Sequence, residues 1–441
     1  MAEHRADVIV VGGGAAGLAA ASVLAAAGLE TLLLEARGRL GGRVDTVLLP
    51  QWPLPLERGA EFVHGTPRQS WEIIDRAALG VFEVQGRHWY SKASRLVRSD
   101  ELWDKVGTIL RRLADLESED LSFAQFLETY CRDAAPEAKA LATQYVEGLN
   151  AADKDLISVQ SLRQAEADAQ RFQGERLFRL QSGYHQLISW LHTGASARHL
   201  DIRLSRIVSD IAWQPGHVRV ETRSAAGIAL EPCTAPRAVI TLPLGVLQAP
   251  HDSLGAVRFS PELPEKPRAI GQLRMGPVVK VVLRFDEAFW EHHGVHQMGF
   301  LHVPGKPFPT WWTPLPLCAP VLTGWAGGPA AARLSHQDAP VILDQALDTL
   351  AQAFDLDRVR LDWRLQAWSV CDWQADPFSR GAYSYVTAGA LAAVGQLAQP
   401  VAQTLYFAGE ATEGGFSGTV ASALASGYRA AAEVLDDHRR A

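Results

Sequence analysis

Six residues near the start of the chain, Gly12-Gly13-Gly14-Ala15-Ala16-Gly17, match the spacing G-x-G-x-x-G. A loop of this kind can hold a pyrophosphate. Gly12 permits a tight turn, Gly14 lets the backbone approach the phosphates, and Gly17 lets a following helix lie close on the preceding strand. The helix N-terminus then adds free N–H groups and a partial positive charge. Glu35 stands 18 residues beyond Gly17. Its carboxylate can accept hydrogen bonds from ribose hydroxyls and would repel a 2′-phosphate. By itself the glycine run marks no more than a tight turn. With a strand on each side and the acidic residue in place, it points to a dinucleotide. The next residues, Arg37, Arg39, Gly41, Gly42 and Arg43, pair arginine forks that suit diphosphate oxygens with glycines that let backbone lie against a ring or phosphate. The alternative is a solvated basic loop.

Lys280 is the second residue of interest. The chain has only seven lysines among its 42 basic residues, and this one sits in the apolar run Val278-Val279-Lys280-Val281-Val282-Leu283. Strand alternation puts Val278, Lys280 and Val282 on one face. Such a lysine either protects an edge strand from aggregation or works where its apolar neighbours point. The residues alone leave both readings open.

The elements that must position these groups follow from patterning. Residues 7–11 read as a buried strand, 18–27 as an alanine-rich helix closed by Gly28, and 31–34 as a second strand, which together make a βαβ unit of a doubly wound sheet. Apolar residues at helical spacing among charges predict helices over 102–116, 123–130, 138–148 and 162–171, with few strand signals between Trp71 and Gln181. Alternation returns around Ile202–Ile211, Val218–Val220 and Ala238–Leu242, and Val278–Phe285 reads as a strongly apolar strand. The last 40 residues repeat the opening grammar: a strand over 404–407, a glycine-rich turn over 408–418 and a helix over 419–435.

Composition narrows the classes. With 47% apolar and 21% charged residues, the 441-residue chain is ordinary globular material of two or three domains. A net charge of −7 gives no global attraction to nucleic acid or anionic membrane. The four cysteines, Cys131, Cys233, Cys318 and Cys371, are far apart and form no zinc or disulfide pattern. No run of 18 apolar residues appears, nor any signal-peptide pattern. The expectation is a cytoplasmic protein without metal, membrane or nucleic-acid partner.

Beyond the two N-terminal motifs, the chain carries Glu57-Arg58-Gly59-Ala60-Glu61-Phe62-Val63-His64-Gly65, Gly183-Tyr184, and Thr241-Leu242-Pro243-Leu244-Gly245-Val246-Leu247. Met275-Gly276 followed by Lys280, Trp373 through Gly381-Ala382-Tyr383-Ser384, and Phe407-Ala408-Gly409-Glu410-Ala411-Thr412 complete the set. In their order and spacing these resemble the flavin-containing amine oxidase superfamily of monoamine oxidases, polyamine oxidases and flavin-dependent histone lysine demethylases. The resemblance runs nearly end to end and is least specific in the helical region.

The resemblance implies non-covalent FAD, because Ala382 stands where monoamine oxidases attach flavin to a cysteine. It implies a role in cofactor binding for Gly12, Gly14, Ala15, Ala16, Gly17, Glu35, Arg37, Gly42, Arg43, Gly59, Ala60, Glu61, Val208, Trp373, Gly409, Glu410, Thr419 and Val420. Gly414, Gly415 and Gly418 would permit close backbone approach. The helix that opens at Thr419 and Val420 would turn its positive end to the pyrimidine side of the flavin. Trp373 reads equally well as a core tryptophan. Lys280 matches the lysine that holds a water against flavin N5 and assists reoxidation. Tyr383 matches one wall of an aromatic cage, whose usual second wall falls on the non-aromatic Thr419. His64 matches a substrate-contacting position of polyamine oxidases and also reads as an ordinary polar residue.

The expected fold is α/β. It has a Rossmann-like FAD-binding domain built from residues 1–75, 182–252 and 396–441, and an α+β substrate domain from residues 76–181 (mostly helical) and 253–395. The expected activity is oxidation of a small-molecule amine, with hydride passing from its α-carbon to flavin N5, hydrolysis of the imine, and reoxidation by O2 giving H2O2. The alternatives are a flavin desaturase or protoporphyrinogen-type oxidase, and a flavin-binding interaction protein.

Overall fold

The computed structural model describes residues 4–92, 95–98, 100–116, 120–194, 198–414 and 417–440. Gly415 lies outside the described residues. Val8–Val11 is a strand of four apolar residues, all buried, which is the signature of a strand covered on both faces. It sits at the centre of a five-stranded parallel sheet whose order runs Leu200–Arg203, Thr31–Leu34, Val8–Val11, Arg237–Ile240, Leu405–Phe407. The sheet is thus assembled from segments at both ends and the middle of the chain. The first helix, Ala15–Ala26, begins three residues earlier than the pattern suggests and is buried almost all round by small side chains. Against it lies the C-terminal helix, Val420–Arg440. The two approach so closely that a Cβ on Gly427 would fall 2.2 Å from Ala16 O. This crossing fixes the start of the C-terminal helix beside the glycine loop.

A second sheet has seven strands, ordered Leu365–Asp372, Val278–Phe285, Val321–Gly327, Thr310–Trp312, Met298–His302, Arg87–Lys92, Arg95–Arg98. Its apolar face packs on the helix Ala339–Phe354. Residues 87–98 correct the sequence expectation: two strands of this sheet lie in a stretch read as carrying few strand signals. Arg87–Lys92 alternates histidine, aromatics and cations, so it lacks the apolar alternation that marks a strand. The helices of the insert fall where spacing predicts, at Asp100–Leu110, Phe123–Tyr130, Pro136–Asn150 and Val159–Arg171. Ser122 and Gln125 close a capping box at the start of the second of these.

Two small sheets bring distant segments to the site. Leu177–Leu180 lies between Val63–His64 and Val81–Glu83. Tyr383–Val386 pairs with Leu273–Gly276, placing Tyr383 opposite Gly276.

Candidate active site

One cavity of about 1440 Å³ touches the parallel sheet and the seven-stranded sheet. That exceeds the roughly 300–1,000 Å³ usual for a single small ligand, and leaves room for a dinucleotide with a second molecule beside it. One end is built from backbone. Gly12 turns at φ +108°, and a Cβ on Gly17 would stand 1.9 Å from Gly12 O, so both positions demand glycine. A Cβ on Gly14 would meet no protein atom within 4 Å, because that side of the loop faces the cavity. The helical ladder opens with Leu18 N–H donating to Gly14 O at 2.9 Å. The N–H groups of Ala15, Ala16 and Gly17 therefore have no partner within the helix.

Glu35, buried at the end of its strand, accepts the N–H of Gly13 at 2.7 Å and of Arg37 at 2.8 Å. The carboxylate thus braces the glycine loop as well as lining the cavity. Val208, also buried, lines the same region from the strand Ile207–Gln214.

The arginines are more committed than the sequence suggests. Arg37 donates to Asp376 at 2.5 Å and Ser379 at 2.9 Å. Arg39 staples the loop to Leu40 O, Gly42 O, Val44 O and Asp45, and it does not line the cavity. Desolvation of Arg39 lowers its pKa despite Asp45 nearby. Arg43 donates to Ala382 O at 2.7 Å and to Glu410 at 2.8 Å. The other Glu410 oxygen accepts the hydroxyl of Ser384 at 2.7 Å. Glu410 therefore ties the C-terminal turn to the segment that carries Tyr383. Gly42, Gly409, Thr419 and Val420 line the cavity beside it. Ser422 N–H donates to Thr419 Oγ1 at 3.1 Å, which caps the first turn of the C-terminal helix.

The other end is made of side chains. Lys280 is 1% exposed, on a strand paired on both sides, to Val321–Gly327 and to Leu365–Asp372. The edge-strand reading is therefore excluded. Its Nζ donates to Glu61 Oε2 at 2.7 Å and to Gly59 O at 3.2 Å. Gly59 is pressed against Arg43 O and the ring of Trp373, while Trp373 donates to Arg58 O. Trp373 is 4% exposed and lines the cavity, so its packing and cavity readings hold together. Ala60 N–H donates to Arg43 O at 3.1 Å. Burial pushes the Glu61 carboxyl up, but Lys280 and Arg179 outweigh it and hold the group below its usual range.

Tyr383 lines the cavity and donates its hydroxyl to Leu149 O at 2.6 Å. Burial pushes this phenol well up, so it stays neutral. Thr419 is not aromatic, and the further aromatic lining comes from residues that the sequence reading did not single out: Phe62, Phe300, Trp312 and Trp325. Trp312 stands 5.4 Å from Phe62 and 6.0 Å from Trp325, ring centre to ring centre. His64 lines this end too, and burial pushes its imidazole down to about 4. His88 and His302 face each other in stacked planes with ring nitrogens 3.2 Å apart. Trp311-Trp312 and Trp325 stood in an aromatic, proline-rich stretch, which was the available signal. His88, His302 and Arg179 carried none.

This combination defines a dinucleotide cradle opening onto an aromatic chamber with one buried lysine. The sequence model of the flavin-containing amine oxidoreductases matches residues 15–435. The chain belongs to that family, and it is an FAD-dependent amine oxidase. Polyamine oxidase 4 of Oryza sativa subsp. japonica is 29% identical over 462 residues, covering 97% of this chain and 88% of that protein. Lysine-specific histone demethylase 2 of Homo sapiens is 28% identical over 471 residues, covering 98% of this chain and 53% of that protein. Among solved structures, putrescine oxidase bound to putrescine aligns with a TM-score of 0.80 at 20% identity, covering 99% of this chain and 100% of that one. Cyclohexylamine oxidase from Brevibacterium oxydans aligns at 0.79 with 20% identity, covering 98% and 99%. These two share the fold.

Proposed function

We propose that the chain oxidises a small amine with non-covalently held FAD and passes the electrons to dioxygen, yielding H2O2. The single observation that carries this reading is the aromatic chamber around buried Lys280, continuous with the glycine-loop end of the same cavity. When bound, FAD supplies the electron-pair acceptor for the amine's α-carbon hydride, and the resulting imine hydrolyses to a carbonyl and an amine.

The chain's residues do the rest. Ala15, Ala16 and Gly17 offer N–H groups to the pyrophosphate, Glu35 offers a carboxylate to the ribose, and the start of the C-terminal helix offers its positive end to the flavin ring. Ala382 has no thiol, so the cofactor stays unattached at that position. Tyr383, Trp312, Trp325 and Phe62 exclude water from the reacting end. In that apolar setting an amine enters as the neutral base, because desolvation disfavours the ammonium. Lys280 holds its positive charge where oxygen acquires negative charge, and a fixed cation in a water-poor site lowers that barrier. Three positions also fit a neutral or cationic substrate tail: His64, His88 and His302 line the chamber. The four free cysteines suit a reducing compartment, the cytoplasm.

The test is anaerobic mixing of the purified, FAD-loaded protein with a panel of amines, from primary arylalkylamines to polyamines, while following flavin absorbance. Bleaching by at least one amine and recovery on admitting air, with peroxide released, are expected. A flavin that no amine bleaches would overturn the proposal.

A further inference from the structure

An ammonium that is 1% exposed has lost its water and must recover that solvation from the protein or give up its proton. Around Lys280 the one anionic partner is Glu61, and the ring of Trp312 lies 5.6 Å from Nζ beside it. Glu61 divides its carboxylate: Oε2 accepts from Lys280 Nζ at 2.7 Å, while Oε1 accepts from Arg179 Nε at 2.9 Å and Trp312 Nε1 at 3.0 Å. Arg179 is fixed in turn by Thr313 O and Leu315 O, with its guanidinium over the ring of Phe62. The anchor is thus itself anchored. Two cations and one anion leave the cluster with one net positive charge. Of the three N–H bonds of the ammonium, Glu61 and Gly59 O take two, and the third is left for the cavity that Lys280 lines.

We propose that Glu61 is a positioning residue that keeps Lys280 charged and aims its remaining N–H into the cavity, a role that rests on the reading of Lys280 as the residue serving the oxygen step. The other charged or titratable groups nearby are few. Among the described residues they are Glu57, half-buried and bonded to Thr46 and Tyr184; Arg58 and Asp45, paired at 2.6 Å; and the Cys371 thiol opposite Lys280 on the neighbouring strand. Burial pushes Glu57 up to about 7 and Cys371 up to about 12. Neither offers Lys280 a carboxylate contact like that of Glu61.

Glu61→Gln keeps the shape and removes the charge. Lys280 and Arg179 then face each other with no counter-ion, and Arg179 cannot release its proton. Burial therefore favours the neutral amine at Lys280. In stopped-flow reoxidation of the FAD-loaded variant between pH 6 and 9, the rate is expected to fall about tenfold per pH unit above a midpoint in that range. The parent is expected to show no such limb, and the flavin absorption bands of the variant are expected to shift with the same midpoint. Glu61→Asp, shorter but charged, is expected to keep the parent's pH profile. A merely structural Glu61 predicts the opposite order, since Gln is the closer match in shape. Should Glu61→Gln fail to retain FAD, the double variant with Lys280→Met, which removes the cation together with its counter-ion, is expected to recover it. A parent-like profile in Glu61→Gln, or a double variant that does not recover FAD, would overturn the role of Glu61. Unchanged reoxidation in Lys280→Met would instead overturn the reading beneath it.

Discussion

The two ends of the cavity are made of different material. At the glycine-loop end the contacts come from main chain, supplied by the turn and the helix that follow one strand, with Glu35 accepting two backbone N–H groups. At the lysine end they come from side chains that meet across long stretches of sequence. Glu61 and Lys280 are 219 residues apart, and Arg179 and Glu61 are 118 apart. A main-chain site constrains which residues can occupy consecutive positions, so it leaves a local pattern. A side-chain site constrains only which residues meet after folding. The first kind is intolerant of a Cβ at Gly12 and Gly17; the second tolerates shape changes and is sensitive to charge.

The sharpest break of that comparison is Gly17→Val. Its Cβ would overlap Gly12 O, and backbone must move to relieve it. The purified variant is expected to lose nearly all its FAD, read as flavin absorbance per protein. Full flavin content would mean that the loop is not the cradle. Lys280→Met is next in size and should act in the opposite manner. Methionine retains much of the volume, and Glu61 keeps Arg179 and Trp312 as partners. FAD content should therefore hold while reoxidation by oxygen slows by about a hundredfold, the usual scale for removing a fixed charge-stabilising donor. Stopped-flow comparison of the two half-reactions checks it, with the reductive half expected to change less.

Legibility in the sequence followed the same division. The parallel sheet, its glycine loop and the strand Val278–Phe285 were readable because burial on both faces forces unbroken apolar runs and glycine is required at fixed offsets. Lys280 was visible as a charge inside such a run. Its neighbours were not. Nothing in Leu177-Phe178-Arg179-Leu180 separates a buried arginine from one that snorkels to water, and the strand Arg87–Lys92 hides under polar residues because it places only Trp89 in the core while His88 lines the cavity. Thr419, read from the sequence as a non-aromatic departure, leaves the aromatic lining to Tyr383 and to the seven-stranded sheet, through Trp312 and Trp325.

Glu35→Ala gives a smaller effect and sharpens the account of the nucleotide end. The substitution frees the N–H groups of Gly13 and Arg37 and removes a charged acceptor from the ribose position. One charge-assisted hydrogen bond is worth roughly 1.5–3 kcal/mol, so the dissociation constant of FAD should rise about ten- to a hundredfold. Titration of apoprotein with FAD by flavin fluorescence measures it. An unchanged constant would restrict Glu35 to bracing the loop.

The smallest expected effect concerns acid, and it belongs to the lysine end alone. Burial pushes His64 and His88 down to about 4, and burial followed by the neighbouring charge of His88 pushes His302 down to about 3. In the unfolded chain each imidazole titrates near 6.5. Above about pH 6.5 both states are neutral and the histidines cost nothing. As pH falls from there toward 4, the unfolded chain takes up protons that the folded chain refuses, and each histidine withdraws up to about 1.4 kcal/mol of stability per pH unit. Carboxylates also contribute to acid unfolding, so the test is a difference. Replacing His302 by asparagine removes one of the three titrations and leaves every carboxylate in place. Between pH 7 and pH 5 that titration withdraws roughly 2 kcal/mol, and a 441-residue chain has about 0.9 kcal/mol/K of unfolding entropy, so the fall in Tm of the FAD-loaded protein should be smaller in the variant by about 2 °C. Parallel Tm curves for parent and variant would show that the chamber admits protons freely. The neutral, dry chamber on which amine entry as the free base depends would then be lost from the account.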